Sequence, residues 1–160
     1  YHTFDIMSDI LCNGRSSRLI QRLVIEKKIF SSIDAYISGS IDSGLFHITG
    51  KPCDGISLEE AEKAVWEELE DLKNHPVEEL ELEKVKNRYE SEQIFSNINY
   101  LNVATNLAFF ELIGKAEDIN DEVRKYRSVS SEQITEMARK CFINTNSNIL
   151  YYKKASGEIE

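Results

Sequence analysis

Gly14-Arg15-Ser16-Ser17-Arg18-Leu19 is the segment of this sequence whose residue types come nearest to a binding site. Two guanidinium groups and two hydroxyls crowd together at what reads as a helix start. Helix N-terminal amides and arginine forks both favour anions, so the chemistry on offer is capture of a carboxylate or another small anion. The plainer alternative is a capped helix with surface arginines.

Other constellations are absent from the sequence. The three histidines, His2, His47 and His75, are too far apart to make a local metal pair, and neither His-Glu-x-x-His nor His-x-x-Glu-His occurs. There is no Gly-x-Ser-x-Gly elbow, no Gly-x-Gly-x-x-Gly and no Gly-Lys-Ser/Thr phosphate loop. The cysteines, Cys12, Cys53 and Cys141, form no Cys-x-x-Cys and are read as free buried thiols of a reducing compartment. His47 is read as a core or interface histidine, His75 as a helix-end residue and His2 as part of a frayed start. Trp66 is read as core or interface beside an apolar stripe.

The elements that must position these residues follow from periodicity. Phe4, Ile6, Met7, Ile10 and Leu11 recur at helical spacing, and Asn13-Gly14 stops that helix. Leu19, Ile20, Leu23 and Val24 form the apolar side of a second short helix, with Lys27 and Lys28 in its last turn. From Phe30 the period becomes two. Ile33, Ala35 and Ile37 mark one strand and 45–50 a second, joined by turn residues over 39–44 into an antiparallel hairpin.

Ser57 and Glu60 form a capping-box pattern ahead of a helix with Leu58, Ala61, Val65, Leu69 and Leu72 on one face. A third long helix starts at Val77, with Leu80, Val85 and Tyr89 inward. Residues 97–114 make the most apolar helix, which is expected to be the most buried. A short amphipathic helix over 117–126 follows, then one over 132–141 capped by Ser130 or Ser131, with Ile134, Met137, Ala138 and Cys141 inward. Residues 148–152 read as a closing strand. The fold class is therefore α+β: a small antiparallel sheet covered on one face by a layer of helices, over a single domain at 1–154 with a frayed tail at 155–160. Three strands are few for so much helix, so a first strand is expected before Tyr1. The chain opens on Tyr1 rather than Met and is expected to be a piece of a longer protein.

Composition narrows the function classes. The chain has 160 residues, 19 basic and 28 acidic, for a formal charge of −9. This charge disfavours nucleic acid and anionic membrane surfaces as partners. Between Glu59 and Glu92 stand thirteen acidic and five basic residues, so nearly all of the excess lies on two helices and reads as a solvated face. The apolar runs are far too short for a membrane span. Free thiols and the lack of a leader pattern suggest a cytoplasmic protein; a periplasmic one stays open if the longer protein carries a signal.

At the Gly14–Leu19 segment the sequence resembles a known family. Ile6 to Leu11, Asn13-Gly14-Arg15-Ser16-Ser17-Arg18-Leu19 and Gln21-Arg22-Leu23 are similar to the second, C-terminal homologous half of pitrilysin/insulinase-type zinc peptidases, relatives of the mitochondrial processing peptidase subunits. The order of elements agrees over nearly the whole chain. In that family the first half carries His-x-x-Glu-His and a distal Glu, and nothing here matches them. The resemblance thus implies no cofactor in this segment and zinc in the other half. Active members also place an Arg and, seven residues on, a Tyr in the second half, where they hold the substrate carbonyl. The frame L-R-E-x-K-G-L-A-Y-S aligns with Leu23 to Ser32, so that Arg becomes Val24 and Tyr becomes Ser31.

The resemblance implies a half that closes a peptide-holding chamber and contacts substrate or the other half through Arg15, Ser17, Arg18 and Ser31. Its partners would be the N-terminal zinc-binding half or a partner subunit, and a peptide substrate; a homodimer of the longer protein stays open. No residue of this segment is assigned a catalytic or metal-binding role, and the chain alone is expected to be inert. The competing reading is a non-enzymatic scaffold subunit of the same fold, or the partner of a separate zinc-bearing chain. A third is a helical interaction module with an exposed apolar patch.

Overall fold

Ile6 and Ile10, with Met7 and Leu11, put four apolar side chains on adjoining faces of one helix, and all four are almost completely buried. That helix, α1 (His2–Cys12), is the centre of the fold. A computed structural model describes residues 1–39 and 44–153. Each fully buried side chain of this kind contributes about 2 kcal/mol. The chain stops α1 at Asn13 and turns through Gly14, whose φ of 101° is the left-handed conformation that glycine tolerates best.

The next segment is a π-helix, Ile20–Glu26, whose last turn closes with the Lys27 N–H bonding the Arg22 carbonyl five residues back. Leu23 within it and Leu19 at its N-cap are both fully buried. Its exit is Lys28, a non-glycine residue at φ 53°, after which the Ile29 N–H returns to the Leu23 carbonyl.

Strands β1 (Phe30–Ile37) and β2 (Phe46–Pro52) pair antiparallel, with Ala35 opposite Ile48 and Tyr36 opposite His47. An irregularity between Phe30 and Ser32 keeps Phe30 and Ile33 both inward. Gly50 faces Ile33, and a Cβ there would lie 2.5 Å from the Phe30 ring. The turn expected over 39–44 falls largely on residues 40–43, outside the described residues.

Helix α2 (Leu58–Asn74) starts where expected, with the Ser57 hydroxyl accepting from the Glu60 N–H at 3.0 Å. The fully reciprocal box forms instead at Ser130 and Gln133, opening α6 (Ser131–Cys141). Between them lie α3 (Glu79–Ser96), α4 (Tyr100–Ile113), a 3-10 turn (Ala116–Asp121) and α5 (Glu122–Arg127). Helix α1 packs on β1 and against α3, α5 and α6, while α2 packs on α6. The result is the expected α+β layering, with helices on one face of the hairpin.

Four expectations are corrected. In α3 the inward residues are Leu82, Val85 and Lys86, while Leu80 is 83% exposed; Leu80 lies five residues before Val85 and so on another side of the helix. Helix α4 has no buried residue, although it is the most apolar segment: it packs on the 3-10 turn, and no described element covers the rest. Residues 148–152 form no strand among the described residues, where the sheet consists of β1 and β2; Tyr151 is instead tied to α2 by its hydroxyl, which donates to Glu62. His2 is anchored rather than frayed, 3.0 Å from Glu122 and edge-on to Tyr126. The tail at 155–160 lies outside the described residues.

Candidate functional site

The loop at 14–18 is held shut by its own backbone and by α3. The Ser17 N–H and hydroxyl both donate to the Gly14 carbonyl, at 3.0 and 2.6 Å, and Ser17 is 2% exposed. Arg18 forks onto Glu81, with Nε and Nη2 at 3.1 and 2.8 Å from its two oxygens, and approaches Asp71 at 3.7 Å. The Lys84 ammonium donates to Ser16 Oγ at 2.8 Å, and Arg88 donates to the Asn13 carbonyl at 3.1 Å. The two arginines of the loop therefore do not converge. Arg18 is matched by carboxylates and is not available to an incoming anion. Arg15 is exposed, with no ion-pair partner among the described residues. The anion site that the spacing suggested is not assembled.

The π-helix carries a second set of contacts that no local pattern announced. Arg22 Nη1 lies 2.6 Å from Glu68 and 2.7 Å from Asp71, both on α2, and the Lys27 ammonium lies 3.1 Å from Glu68. Glu68 is only 4% exposed, so the acidic face of α2 is in part an internal ion-pair network rather than a wholly solvated one. Hydrogen bonds to Glu68 and Asp71 push the Arg22 pKa up. For Asp71, burial acts to raise the carboxyl pKa, but the Arg22 hydrogen bond and charge, aided by His75 at 2.7 Å, outweigh it and hold the group below its ordinary value. Arg127 similarly joins α3 through Glu83 and Glu90.

The hairpin presents the remaining polar surface. Opposite the core face, Ser32 pairs with Lys51, Asp34 with Thr49 and Tyr36 with His47. The Tyr36 and His47 rings stack with centroids 4.8 Å apart and planes 16° from parallel. Ser31 is exposed and donates to the Lys51 carbonyl at 3.0 Å. Val24, the other frame position, is half-buried against the core. Neither offers the guanidinium or the phenol of the family pair. Of the four residues singled out in the sequence, Arg15 and Ser31 lie at the surface, while Ser17 and Arg18 brace the loop. The stacked pair Tyr36–His47 was missed; the signal for it was two ring side chains on outward positions of adjacent strands.

Nucleophile chemistry finds no support at Cys12, whose thiol is pushed up to about 12 by burial and then by Asp34. Among the described residues, no three His, Cys, Asp or Glu side chains are arranged to hold a metal ion. No helix is long and apolar enough to cross a membrane, again among the described residues.

Three solved structures share the fold. A protease from Helicobacter pylori superposes with a TM-score of 0.83 at 22% identity, covering 91% of this chain and 35% of that one, so this chain spans about a third of its length. A "putative zinc protease" from Bordetella pertussis Tohama I gives 0.79 at 20% identity, covering 91% and 81%. The "inactive peptidase domain" of such a protein from Bordetella parapertussis gives 0.80 at 19% identity, covering 91% and 79%. No curated protein matches the sequence. The family model described as the Peptidase M16 inactive domain matches residues 1–89, which include the 14–18 loop, the π-helix, the hairpin and α2. By that match, over more than half of its length, this chain belongs to the Peptidase M16 inactive domain family.

Proposed function

We propose that this chain serves as the half of a zinc protease that carries no zinc ligands, closing a peptide-holding chamber against a zinc-bearing half of the same protein. The observation that carries this reading is the one-sided hairpin. Helix α1 covers its apolar face, while Asp34, Tyr36, Thr49 and Lys51 stand exposed on the other. An open face of aromatic and hydrogen-bonding groups suits an extended peptide, which offers backbone donors and acceptors along its length. Arg15 and Ser31 are the surface residues of the original set that would add contacts to the peptide or to the other half. Zinc, in this reading, is bound entirely by the other half and supplies the activated water there.

The test uses the full-length protein that contains this chain. Tyr36→Ala with His47→Ala is expected to lower kcat/KM on an unstructured peptide about tenfold, with zinc content unchanged. Unchanged kinetics in that double variant would remove the hairpin from the substrate path and sink the reading.

A second reading has one observation behind it. Val24 and Ser31 supply neither a cation nor a phenol to a substrate carbonyl, which favours a scaffold subunit. Zinc analysis of the full-length protein separates the two. Stoichiometric zinc with peptidase activity supports the protease half; no zinc makes the chain a scaffold, or the partner of a separate zinc-bearing chain.

A further inference from the structure

Leu19, Ile20, Leu23 and Val24 stand at a spacing that suits an α-helix. The segment winds instead as the π-helix Ile20–Glu26, with the Lys27 N–H on the Arg22 carbonyl at 2.9 Å. π-Helices are rare and occur mostly as single turns inside α-helices. This one leaves Ile25 exposed and exits through Lys28, a residue with a Cβ, at φ 53°. Local preference and observed winding disagree here, so a contact from outside the segment must hold the winding.

The contact with the right geometry is Glu68 on α2. Arg22 Nη1 lies 2.6 Å from its Oε2, and Lys27 Nζ lies 3.1 Å from its Oε1. Arg22 and Lys27 are five residues apart. On an α-helix, at 3.6 residues per turn, two such residues point about 140° apart and face different sides. In a winding closed by i→i+5 bonds they stand one above the other on the same side. Glu68 is almost completely buried, so its two oxygens depend on these two cations rather than on water. Bracing both cations on one carboxylate is therefore a contact of the π winding and not of the α winding.

We propose that Glu68 is an electrostatic latch: by holding Arg22 and Lys27 together, its buried carboxylate selects the π register of residues 20–26 over the α register that their sequence favours. With the latch released, the Lys27 N–H bonds the Leu23 carbonyl, four residues back. The Ile29 N–H, now 2.8 Å from that carbonyl, then gives it up, and Lys28 no longer has to hold a left-handed conformation. The change passes directly into β1, whose first residues carry the pairing irregularity between Phe30 and Ser32 and place Ser31 at the surface. The latch is a property of the fold and holds whether or not the hairpin contacts a peptide, so its test reads hydrogen bonds rather than peptidase activity.

The experiment is a pair of crystal structures of the full-length protein that contains this chain, wild type and Glu68→Gln. Glutamine keeps the shape of the side chain and removes its charge, and Arg22 retains Asp71 at 2.7 Å. In the wild type the Lys27 N–H is expected on the Arg22 carbonyl. In the variant it is expected on the Leu23 carbonyl, with Lys28 out of the left-handed region, a change that general weakening of the fold does not produce. A wild type already in the α register, or a folded Glu68→Gln variant still in the π register, overturns the proposal. Should Glu68→Gln not fold, Lys27 decides, because 44% of its side chain is exposed and the Arg22–Glu68 pair survives its loss. Lys27→Gln is expected in the α register, and Lys27→Arg, which keeps the charge, in the π register. A Lys27→Gln variant that stays in the π register, or a Lys27→Arg variant that leaves it, likewise overturns the latch.

Discussion

Arg22 on the π-helix and Glu68 on α2, 46 residues apart in sequence, meet at 2.6 Å, with Glu68 almost completely buried. The contact fastens the loop and π-helix to α2 and leaves the acidic helix with a carboxylate that water does not reach. Removing one partner of a buried pair costs about 3–5 kcal/mol, because the other charge is left unmatched. Lys27 at 3.1 Å still faces Glu68, so Arg22→Met is expected to lower stability by about 2 kcal/mol. Denaturant unfolding measures this. Adding Glu68→Leu should recover most of the loss, and a double variant no better than the single one would mean that the pair is not coupled.

Lys28 holds a left-handed conformation, φ 53°, at the exit of the π-helix. A Cβ in this region costs about 1–2 kcal/mol relative to right-handed backbone. Glycine avoids that cost but gains freedom in the unfolded chain. Lys28→Gly is therefore expected to stabilise by about 0.5–1 kcal/mol, read as a higher denaturant midpoint with unchanged slope. A lower midpoint would mean that the Lys28 side chain itself supports the turn.

These two positions mark the limit of what the sequence discloses. α1, α2, α6 and the hairpin were legible because each buries one face and shows it as a period of 3.6 or 2. Leu80 was misplaced because two leucines two apart, Leu80 and Leu82, leave the phase of α3 ambiguous until Val85 and Tyr89 choose between them. Residues 148–152 carry β-forming side chains, but strand pairing is non-local, and no sequence window tells whether a partner is present. The apolarity of α4 announced that it needs covering without saying by what. At the site, Arg15 and Arg18 look equivalent in sequence; Glu81, 63 residues from Arg18, distinguishes them.

Gly50 sits under the Phe30 ring, and a Cβ at position 50 would lie 2.5 and 2.7 Å from two ring carbons and 3.5 Å from Ile33 Cγ1. The ring belongs to a buried core residue and has little room to retreat. Overpacking of this kind costs about 1–3 kcal/mol. Gly50→Ala is expected to destabilise within that range, despite the entropy gained by removing a glycine. Phe30→Leu in the same chain should make the alanine tolerable, and thermal unfolding of the four combinations tests the pairing. A Gly50→Ala variant as stable as the parent chain would show that the ring can move.

Asp71 and Asp9 pull the acid limb of stability in opposite directions. The Asp71 pKa is lowered from 3.8, since the Arg22 hydrogen bond and charge outweigh burial. A lowered carboxyl contributes stability that is present above the unfolded value and is lost as pH falls through the folded one. Asp71 therefore weakens the fold below about pH 3.8. The Asp9 pKa is raised from 3.8, chiefly by burial, with the Asn13 hydrogen bond at 2.7 Å opposing. Its folded state holds the proton more tightly, so stability rises as pH falls from its raised value toward 3.8, and at neutral pH the ionised group is a cost. Asp71→Asn should flatten the loss below 3.8, while Asp9→Asn, which keeps an amide oxygen for Asn13, should raise stability at neutral pH and leave it little changed in acid. Unfolding midpoints of both variants across this pH range check the two signs independently. An Asp9→Asn chain less stable at neutral pH would show that the carboxylate is held by charge it can still reach, such as Arg88, rather than strained by burial.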